Sequence, residues 1–258
     1  MTTADLPPAR LRVTDLAYTY PGRIPTHALA GVSLDVHDNE FVAIVGPVGC
    51  GKTTLLRLVA GFLRPTAGTV LHDGRPVTGP HPERGYVFQE EAIFPWMTVR
   101  ENLEFGLLAR GTPPPVRLAK VRELLALIEL EGYPDAYPKE LSSGMSKMVE
   151  VARVLATDPS VLLLDEPFGS LDAQTRARMQ DELHRLWEAR RTTVLMVTHD
   201  VEEAIHLADR IVVLSPRPGR IKADVKVDLP RPRALEVRLS PAFAEIKRTV
   251  WALLGLTG

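Results

Sequence analysis

A glycine-rich segment between a predicted strand and a predicted helix constrains the fold of this chain more than any other feature. It reads Gly46-Pro-Val-Gly-Cys-Gly-Lys-Thr53 and lies between the apolar run 41–45 and a predicted helix over 53–60. Glycines let backbone N–H groups turn toward phosphate oxygens, while a lysine adds positive charge and a threonine hydroxyl is a ligand for Mg²⁺. This context favours a phosphate-binding loop over an ordinary glycine-rich turn. The residues predicted to form this phosphate-binding loop are Gly46, Pro47, Val48, Gly49, Cys50, Gly51, Lys52, Thr53 and Thr54.

Three apolar runs predict a parallel sheet. The runs 41–45, 161–164 and 193–198 lack the alternation of a strand with one wet face, so each is predicted to be buried on both faces. A helix is predicted behind each run, and strand, turn and helix in repetition indicate an α/β fold with a mostly parallel sheet. These helices are predicted over 53–60, 173–189 and 201–208.

Other segments depart from this repetition. Residues 11–36 alternate between apolar and polar side chains and predict a small antiparallel sheet. Residues 89–157 predict an inserted helical subdomain, with a capping box at Thr98 and Glu101 and further helices near 118–128 and 145–156.

The predicted organisation has three parts. Residues 1–10 are expected to be disordered or extended, and residues 11–215 to form one nucleotide-binding unit that includes the helical subdomain. Residues 216–258 are expected to be a short C-terminal extension, with a final helix from about residue 241 to 256 that packs on this unit or on a second copy.

Composition excludes several classes of protein. The chain has 31 lysines plus arginines against 32 aspartates plus glutamates, a net charge of -1, so there is no basic field to attract nucleic acid. A single cysteine cannot form an internal disulfide, and no apolar run reaches the length of a membrane span. The first residues resemble no secretory signal, and a cytoplasmic location is expected.

Two carboxylates follow the apolar run 161–164. Asp165 and Glu166 come at the predicted carboxyl end of a buried strand, a place where acidic residues are common without any function. Together with the phosphate-binding loop, they predict a hydrolytic site. Asp165 is the candidate to hold Mg²⁺, and Glu166 is the candidate to orient or deprotonate the attacking water.

The order of the motifs resembles that of the ATP-binding-cassette family of transport ATPases from about residue 11 to 214. A Q-loop, a signature, a carboxylate pair, a D-loop and an H-loop follow the phosphate-binding loop, and the Asn-Lys-x-Asp motif of a GTPase is absent. In this sequence the five motifs are Gln89 in Tyr-Val-Phe-Gln, Leu141-Ser-Ser-Gly-Met145, Asp165-Glu166, Ser170-Leu-Asp172 and His199 in Val-Thr-His-Asp.

The resemblance implies a P-loop NTPase fold of the RecA-like class and a site for ATP and Mg²⁺. Tyr20 corresponds to the aromatic residue that stacks on adenine, with Tyr18 as its rival and an ordinary strand aromatic as the alternative. Gln89 is implied to help hold Mg²⁺, together with Thr53 and Asp165. The residues with implied catalytic roles are Glu166, His199, Gln89 and Lys52, with His199 contacting the γ-phosphate.

The resemblance also implies partners. Two copies pair head to tail, so that Ser142, Ser143 and Gly144 of one copy close the ATP site of the other. Asp172 is implied to cross the same interface, and a plain helix N-cap is a compatible alternative. The homodimer is expected to drive membrane permease subunits, with a periplasmic or lipoprotein solute-binding protein as an indirect partner and no nucleic acid. The chain would then lie on the inner face of the cell membrane.

Three positions merit attention. Ser143 replaces the first glycine of the family's signature, and Val48 stands where the family commonly has serine or asparagine. Both departures are expected to affect turnover more than ATP binding. Cys50 lies near Lys52 and backbone N–H groups, which are expected to lower its thiol pKa and make it reactive. Because Cys50 is within the phosphate-binding loop, its alkylation is expected to block nucleotide binding. A buried, inert thiol is the equal alternative.

The finer resemblance is to importers of nitrate, sulfonate, taurine and related small anions. It rests on the segments 94–102, 165–176 and 214–221, and thiamine-precursor importers share much of this pattern. The segment 89–96 is predicted to dock on a permease helix, or else to be ordinary core. The remaining alternatives are an exporter or lipid-transport ATPase, a cassette protein acting on DNA or ribosomes, and a degenerate subunit that binds ATP for regulation.

Overall fold

Strands and helices alternate through most of the described chain, which covers residues 9–233 and 235–256 of a computed structural model. In chain order the strands are β1 (Ala9–Tyr20), β2 (Thr26–His37), β3 (Phe41–Val45), β4 (Ala67–His72), β5 (Arg75–Pro76), β6 (Arg84–Val87), β7 (Val161–Asp165), β8 (Thr193–Val197), β9 (Arg210–Leu214) and β10 (Ile221–Lys226). The α-helices are α1 (Lys52–Ala60), α2 (Val99–Ala109), α3 (Pro114–Leu127), α4 (Ser143–Leu155), α5 (Ala173–Arg190), α6 (Val201–Leu207) and α7 (Pro241–Leu254).

The chain divides into two compact units. The described part of the first comprises residues 9–81 and 191–256 except 234, and the second comprises residues 82–190. None of the helices in the described ranges is both long and apolar enough to cross a bilayer.

The first unit contains an antiparallel sheet with the strand order β2-β1-β4-β5. Along β1, Leu11, Val13 and Leu16 are buried and the residues between them face outward. This alternation is that of a sheet with one wet face, and the predicted antiparallel segment is confirmed.

A mostly parallel sheet carries the phosphate-binding loop. In the first unit the strand order is β10-β9-β3-β8, with β3 parallel to both β8 and β9 and β10 antiparallel to β9. In the second unit β6 and β7 pair in parallel. Every residue of β3, β7 and β8 is buried, as the lack of alternation in the runs 41–45, 161–164 and 193–198 predicts, and the α/β fold class is confirmed.

The helices α2, α3 and α4 lie within the range 89–157 that was expected to be helical. Thr98 and Glu101 form the predicted capping box at the start of α2, with each side chain bonded to the other residue's backbone N–H. Pro114 and Pro115 begin α3, since proline fits the first turn of a helix.

Several predicted boundaries move, each for a local reason. The fourth helix begins at Ser143 rather than Met145 because the Ser142 hydroxyl caps it, accepting from the Met145 N–H at 3.3 Å. The last helix ends at Leu254, not near residue 256, because Gly255 adopts a φ of +73°. Of the predicted N-terminus 1–10, residues 1–8 lie outside the described residues, and Ala9 begins β1.

Candidate nucleotide site

The phosphate-binding loop joins the carboxyl end of β3 to the first turn of α1. Lys52 folds back over the loop, and its Nζ donates to the carbonyl oxygens of Gly46 at 2.9 Å and Pro47 at 3.3 Å. The side chain of Lys52 is buried, so its charge is held inside the loop rather than in bulk solvent. This places a desolvated ammonium group and the N-terminus of α1 together, an arrangement suited to a phosphate group.

Glycine is required at two positions of the loop. Gly49 and Gly51 have φ values of +76° and +104°, in the left-handed region that other residues rarely adopt. A Cβ on Gly51 would also come within 2.7 Å of Leu29 Cδ2 and 2.9 Å of the Ala28 carbonyl oxygen. The back of the loop therefore rests directly on β2, and neither glycine is replaceable without strain.

Tyr20 reaches the phosphate-binding loop. Its hydroxyl is 3.1 Å from Thr54 Oγ1, and its ring packs edge-on against Tyr18 with 4.8 Å between the centroids. The structure therefore brings Tyr20, rather than Tyr18, into hydrogen-bond contact with the loop. Val48 lies at the loop tip with 95% of its surface exposed, so this departure from the family leaves the packing of the loop unchanged.

His199 emerges at the same sheet edge as the phosphate-binding loop. The strands β3 and β8 are parallel and in register, with Ile44 opposite Val197, and the Thr198 N–H donates to the Ile44 carbonyl at 3.1 Å. Asp200 caps α6 by accepting from the N–H groups of Glu202 and Glu203. His199 is held between these two anchors with its side chain exposed, at the edge where parallel α/β sheets bind ligands.

In the second unit, Asp165 is the last residue of β7 and Glu166 follows it, at the edge where β6 also ends. Tyr86 Oη donates to Asp165 Oδ2 at 2.7 Å, which orients this buried carboxylate. Glu166 has a φ of +44°, a left-handed conformation that is rare outside glycine and is concentrated at functional sites. The Gly169 N–H donates to the Glu166 carbonyl at 3.2 Å and holds the turn that presents the carboxylate.

Gln89 lies two residues beyond β6, at the same edge as Asp165 and Glu166 because β6 and β7 are parallel.

Lys147 of α4 anchors the residue before Gln89, a role that was not predicted from the sequence. Its Nζ donates to the Phe88 carbonyl at 3.2 Å and forms a buried ion pair with Glu150 at 2.8 Å. Phe88, the residue before Gln89, is thus tied to α4. A lysine and a glutamate three apart on a helix signal such a pair, but not the Phe88 contact.

The signature residues form the N-terminus of α4. Ser142 and Ser143 are exposed, whereas Gly144 is buried, and a Cβ there would come within 2.9 Å of Thr175 Cγ2. Tight packing within this chain therefore favours a glycine at 144 and accepts a serine at 143. The departure at Ser143 costs the single chain no internal contact.

Asp172 caps α5, which is the alternative that the sequence offered beside a role at the interface between two copies. Its Oδ1 accepts from the N–H groups of Gln174 at 3.1 Å and Thr175 at 3.0 Å. The hydrogen bonds from Thr175 lower the pKa of the Asp172 carboxyl below its usual value, so the group is ionised at neutral pH. Capping and a role at an interface remain compatible, because the side chain is exposed.

The expected activation of Cys50 is not what the structure shows. The thiol is buried, with 1% of the residue exposed, and burial raises the pKa of Cys50 more than the nearby charge of Lys52 lowers it. A raised pKa and lack of access both suppress the reactive thiolate. The structure therefore favours the inert thiol that the sequence left as an alternative.

The predicted magnesium ligands divide between the two units. Thr53 lies in the first turn of α1, while Asp165 and Gln89 lie at the edge of the second unit's strands. A hydroxyl, a carboxylate and an amide provide the hard oxygen donors that Mg²⁺ prefers, so these residue types fit the ion. No group of three or more histidine, cysteine, aspartate or glutamate side chains within 9–233 and 235–256 forms a metal cluster by itself.

Comparison with known proteins agrees with this geometry. The sequence profile of the ABC transporter family matches residues 29–169. The nitrate import ATP-binding protein NrtD of Synechocystis sp. is 44% identical over 95% of this chain and 94% of its own length. The aliphatic sulfonates import ATP-binding protein SsuB of Bacillus licheniformis is 44% identical over 93% of this chain and 91% of its own.

A solved structure shares the fold. The dimeric structure of MJ0796, a bacterial ABC transporter cassette, superposes with a TM-score of 0.73 and 30% identity over 85% of this chain and 99% of that one. The P-loop NTPase fold and the resemblance to the nitrate and sulfonate importer branch are thereby confirmed. The chain belongs to the ABC transporter family and is one of its ATP-binding, ATP-hydrolysing proteins.

Proposed function

We propose that this chain is the ATPase subunit of an importer, that two copies close around two ATP molecules, and that hydrolysis drives a separate membrane permease. The observation that carries the proposal is the shared edge of β3 and β8, where the phosphate-binding loop and His199 emerge together. The exposed side chain of His199 at that edge, beside the buried Lys52, suits the binding of a nucleoside triphosphate.

The proposed division of labour follows from charge and position. Lys52 and the N–H groups of the phosphate-binding loop hold the β- and γ-phosphates, and Tyr20 stacks on adenine. Glu166 orients the attacking water and accepts its proton, while His199 contacts the γ-phosphate. Mg²⁺ bound by Thr53, Gln89 and Asp165 would neutralise phosphate charge.

Dimerisation is proposed from the N-terminus of α4. This helix has 13 residues, and its first turn carries no acidic side chain, so its positive dipole end is available to a γ-phosphate. Ser142 and Ser143 are exposed there, as a surface that closes a partner's ATP site needs to be. The dimeric structure of MJ0796 supports this arrangement.

The proposed permease contact is an apolar surface on the second unit. Trp96 is 69% exposed, Phe94 stacks against it with 5.6 Å between the rings, and Phe88 and Phe105 are also exposed. Arg153 lies over the Phe94 ring at 4.4 Å and fixes the segment. An exposed aromatic patch on a rigid base suits docking of a permease helix on the inner face of the membrane.

The proposed cargo is a small anion such as nitrate, a sulfonate or taurine, delivered to the permease by a solute-binding protein. The names of the relatives NrtD and SsuB support this class. We expect the chain, reconstituted in liposomes with its permease, to hydrolyse ATP faster when the cognate binding protein carries one of these anions. Stimulation by a thiamine precursor, or export of cargo, would contradict the assignment.

Dimerisation is tested by measuring ATPase activity per molecule against protein concentration. We expect the specific activity to rise with concentration, and Ser143→Glu to abolish the rise by placing a negative charge where the partner's γ-phosphate would lie. The control is Val116→Glu, which adds the same charge to an exposed site in the first turn of α3. Activity per molecule that is independent of concentration in all three proteins would contradict the dimer.

A further inference from the structure

The loop between β9 and β10 contacts the back of the phosphate-binding loop. We call residues 215–220 the Gly219 loop. Gly219 is fixed to β2 by two backbone hydrogen bonds, since its N–H donates to the Ala28 carbonyl at 2.9 Å and its carbonyl accepts from the Ala30 N–H at 3.0 Å. These bonds hold the backbone of Gly219 beside the strand on which the phosphate-binding loop rests.

Gly219 also lies against the carbonyl of Cys50. A Cβ at position 219 would come within 2.2 Å of the Cys50 oxygen and 3.2 Å of Leu29 Cδ2. The nearest obstacle is a backbone atom, which cannot rotate away as the end of a flexible side chain does. Gly219 is therefore required by close approach rather than by backbone conformation, as it is absent from the residues with positive φ.

The Gly219 loop is itself closed by internal hydrogen bonds. The Ser215 N–H donates to the Arg220 carbonyl at 2.9 Å, and the Arg220 N–H donates to Ser215 Oγ at 3.1 Å. Leu214, immediately before this loop, touches the phosphate-binding loop as well, because a Cβ on Gly46 would be 3.1 Å from Leu214 Cβ. The start of the phosphate-binding loop at Gly46 and its middle at Cys50 are thus packed against one continuous segment.

We infer that Gly219 is a positioning residue for nucleotide binding, acting through the Cys50 carbonyl on the backbone that leads into Lys52. Close packing at Cys50 limits the movement of the peptide groups whose N–H bonds face phosphate, so they are preorganised before ATP arrives. This inference rests on the proposed role of the phosphate-binding loop and adds a residue 50 positions beyond the end of the profile match at residue 169.

The test compares two glycines at which an added methyl group meets different surroundings. Gly219→Ala adds a methyl group against the Cys50 carbonyl, whereas Gly79→Ala, the control, adds one where no atom lies within 4 Å. We expect Gly219→Ala to raise the Kd for a non-hydrolysable ATP analogue, measured in the presence of Mg²⁺, by about tenfold, because overpacking displaces the backbone. The Gly79→Ala variant should bind as the unaltered chain does.

Two further readouts separate positioning from general destabilisation. The KM for ATP should rise more than kcat falls, and amide exchange in the peptide 46–52 should quicken while that of β9 is unchanged. If Gly219→Ala does not fold, Ser215→Ala answers the same question, because it removes the acceptor for the Arg220 N–H and loosens the loop without a clash. An unaltered Kd in whichever of the two variants folds would overturn the inference.

A third variant distinguishes failure of the inference from failure of the site. If Lys52→Ala binds the analogue as well as the unaltered chain does, the proposed nucleotide site is wrong. If Lys52→Ala loses binding while Gly219→Ala binds normally, the site stands and the inference about Gly219 is wrong. Loss of affinity in both, with Gly79→Ala unaffected, is the expected result.

Discussion

Replacing Glu166 by glutamine is expected to lower kcat for ATP hydrolysis by about 10²- to 10⁴-fold, the usual contribution of a general base. Glutamine keeps the size of the side chain but cannot accept a proton from the attacking water. The affinity for ATP is expected to be unchanged, because Glu166 belongs to the turn after β7 and not to the phosphate-binding loop. Steady-state hydrolysis and binding of a fluorescent ATP analogue measure the two effects separately.

The matched control for this prediction is Glu131→Gln, which neutralises an exposed carboxylate of the same unit. It is expected to hydrolyse ATP at the unaltered rate. Equal activity of Glu166→Gln and Glu131→Gln would remove Glu166 from the catalytic residues. Binding of ATP without hydrolysis by the unaltered chain, at every concentration and with its permease, would instead support the degenerate regulatory alternative.

Replacing Lys52 by alanine is expected to weaken ATP binding by about 10- to 100-fold, the loss of one hydrogen bond to a charged group. The ammonium group already lies inside the phosphate-binding loop, bonded to the carbonyls of Gly46 and Pro47, so it needs little rearrangement to meet phosphate. Hydrolysis should fall at least as far, because the same charge stabilises the transition state. Calorimetric titration with the non-hydrolysable analogue measures the loss of affinity.

Lys226→Ala is the control for Lys52→Ala, because this substitution removes the same charge from an exposed position in β10 of the same unit. Its affinity for the analogue is expected to be unaltered. Thermal unfolding without nucleotide shows whether Lys52→Ala also loosens the empty loop. A folded Lys52→Ala protein with unaltered affinity would contradict the proposed site.

The course of the chain around the candidate site was largely predictable from the sequence. The largely apolar runs 41–45, 161–164 and 193–198 predict β3, β7 and β8 without reference to the rest of the protein, because a strand covered on both faces shows no alternation of apolar and polar residues. The phosphate-binding loop is also recognisable locally, since its glycines and Lys52 are neighbours in sequence. The order of these motifs was enough to indicate the family.

Packing between segments far apart in sequence was not predictable. The sequence left an activated and an inert thiol at Cys50 as equal alternatives, and burial, which raises the pKa of Cys50, favours the inert one. That burial arises in a loop packed against residues of β2 and β9, which are distant in sequence. The contact of Lys147 with the Phe88 carbonyl joins residues 59 positions apart. Such contacts leave no periodic signal in either segment.

The sequence by itself therefore determined the α/β fold, the phosphate-binding loop and the ATPase family, because each depends on residue types at short, regular spacings. Only the tertiary structure decided that Cys50 is inert, that Phe88 is tied to α4 and that Gly219 supports the phosphate-binding loop. The physical reason is that these properties depend on distances between atoms that the folded backbone brings together, and the linear order of residues does not specify those distances.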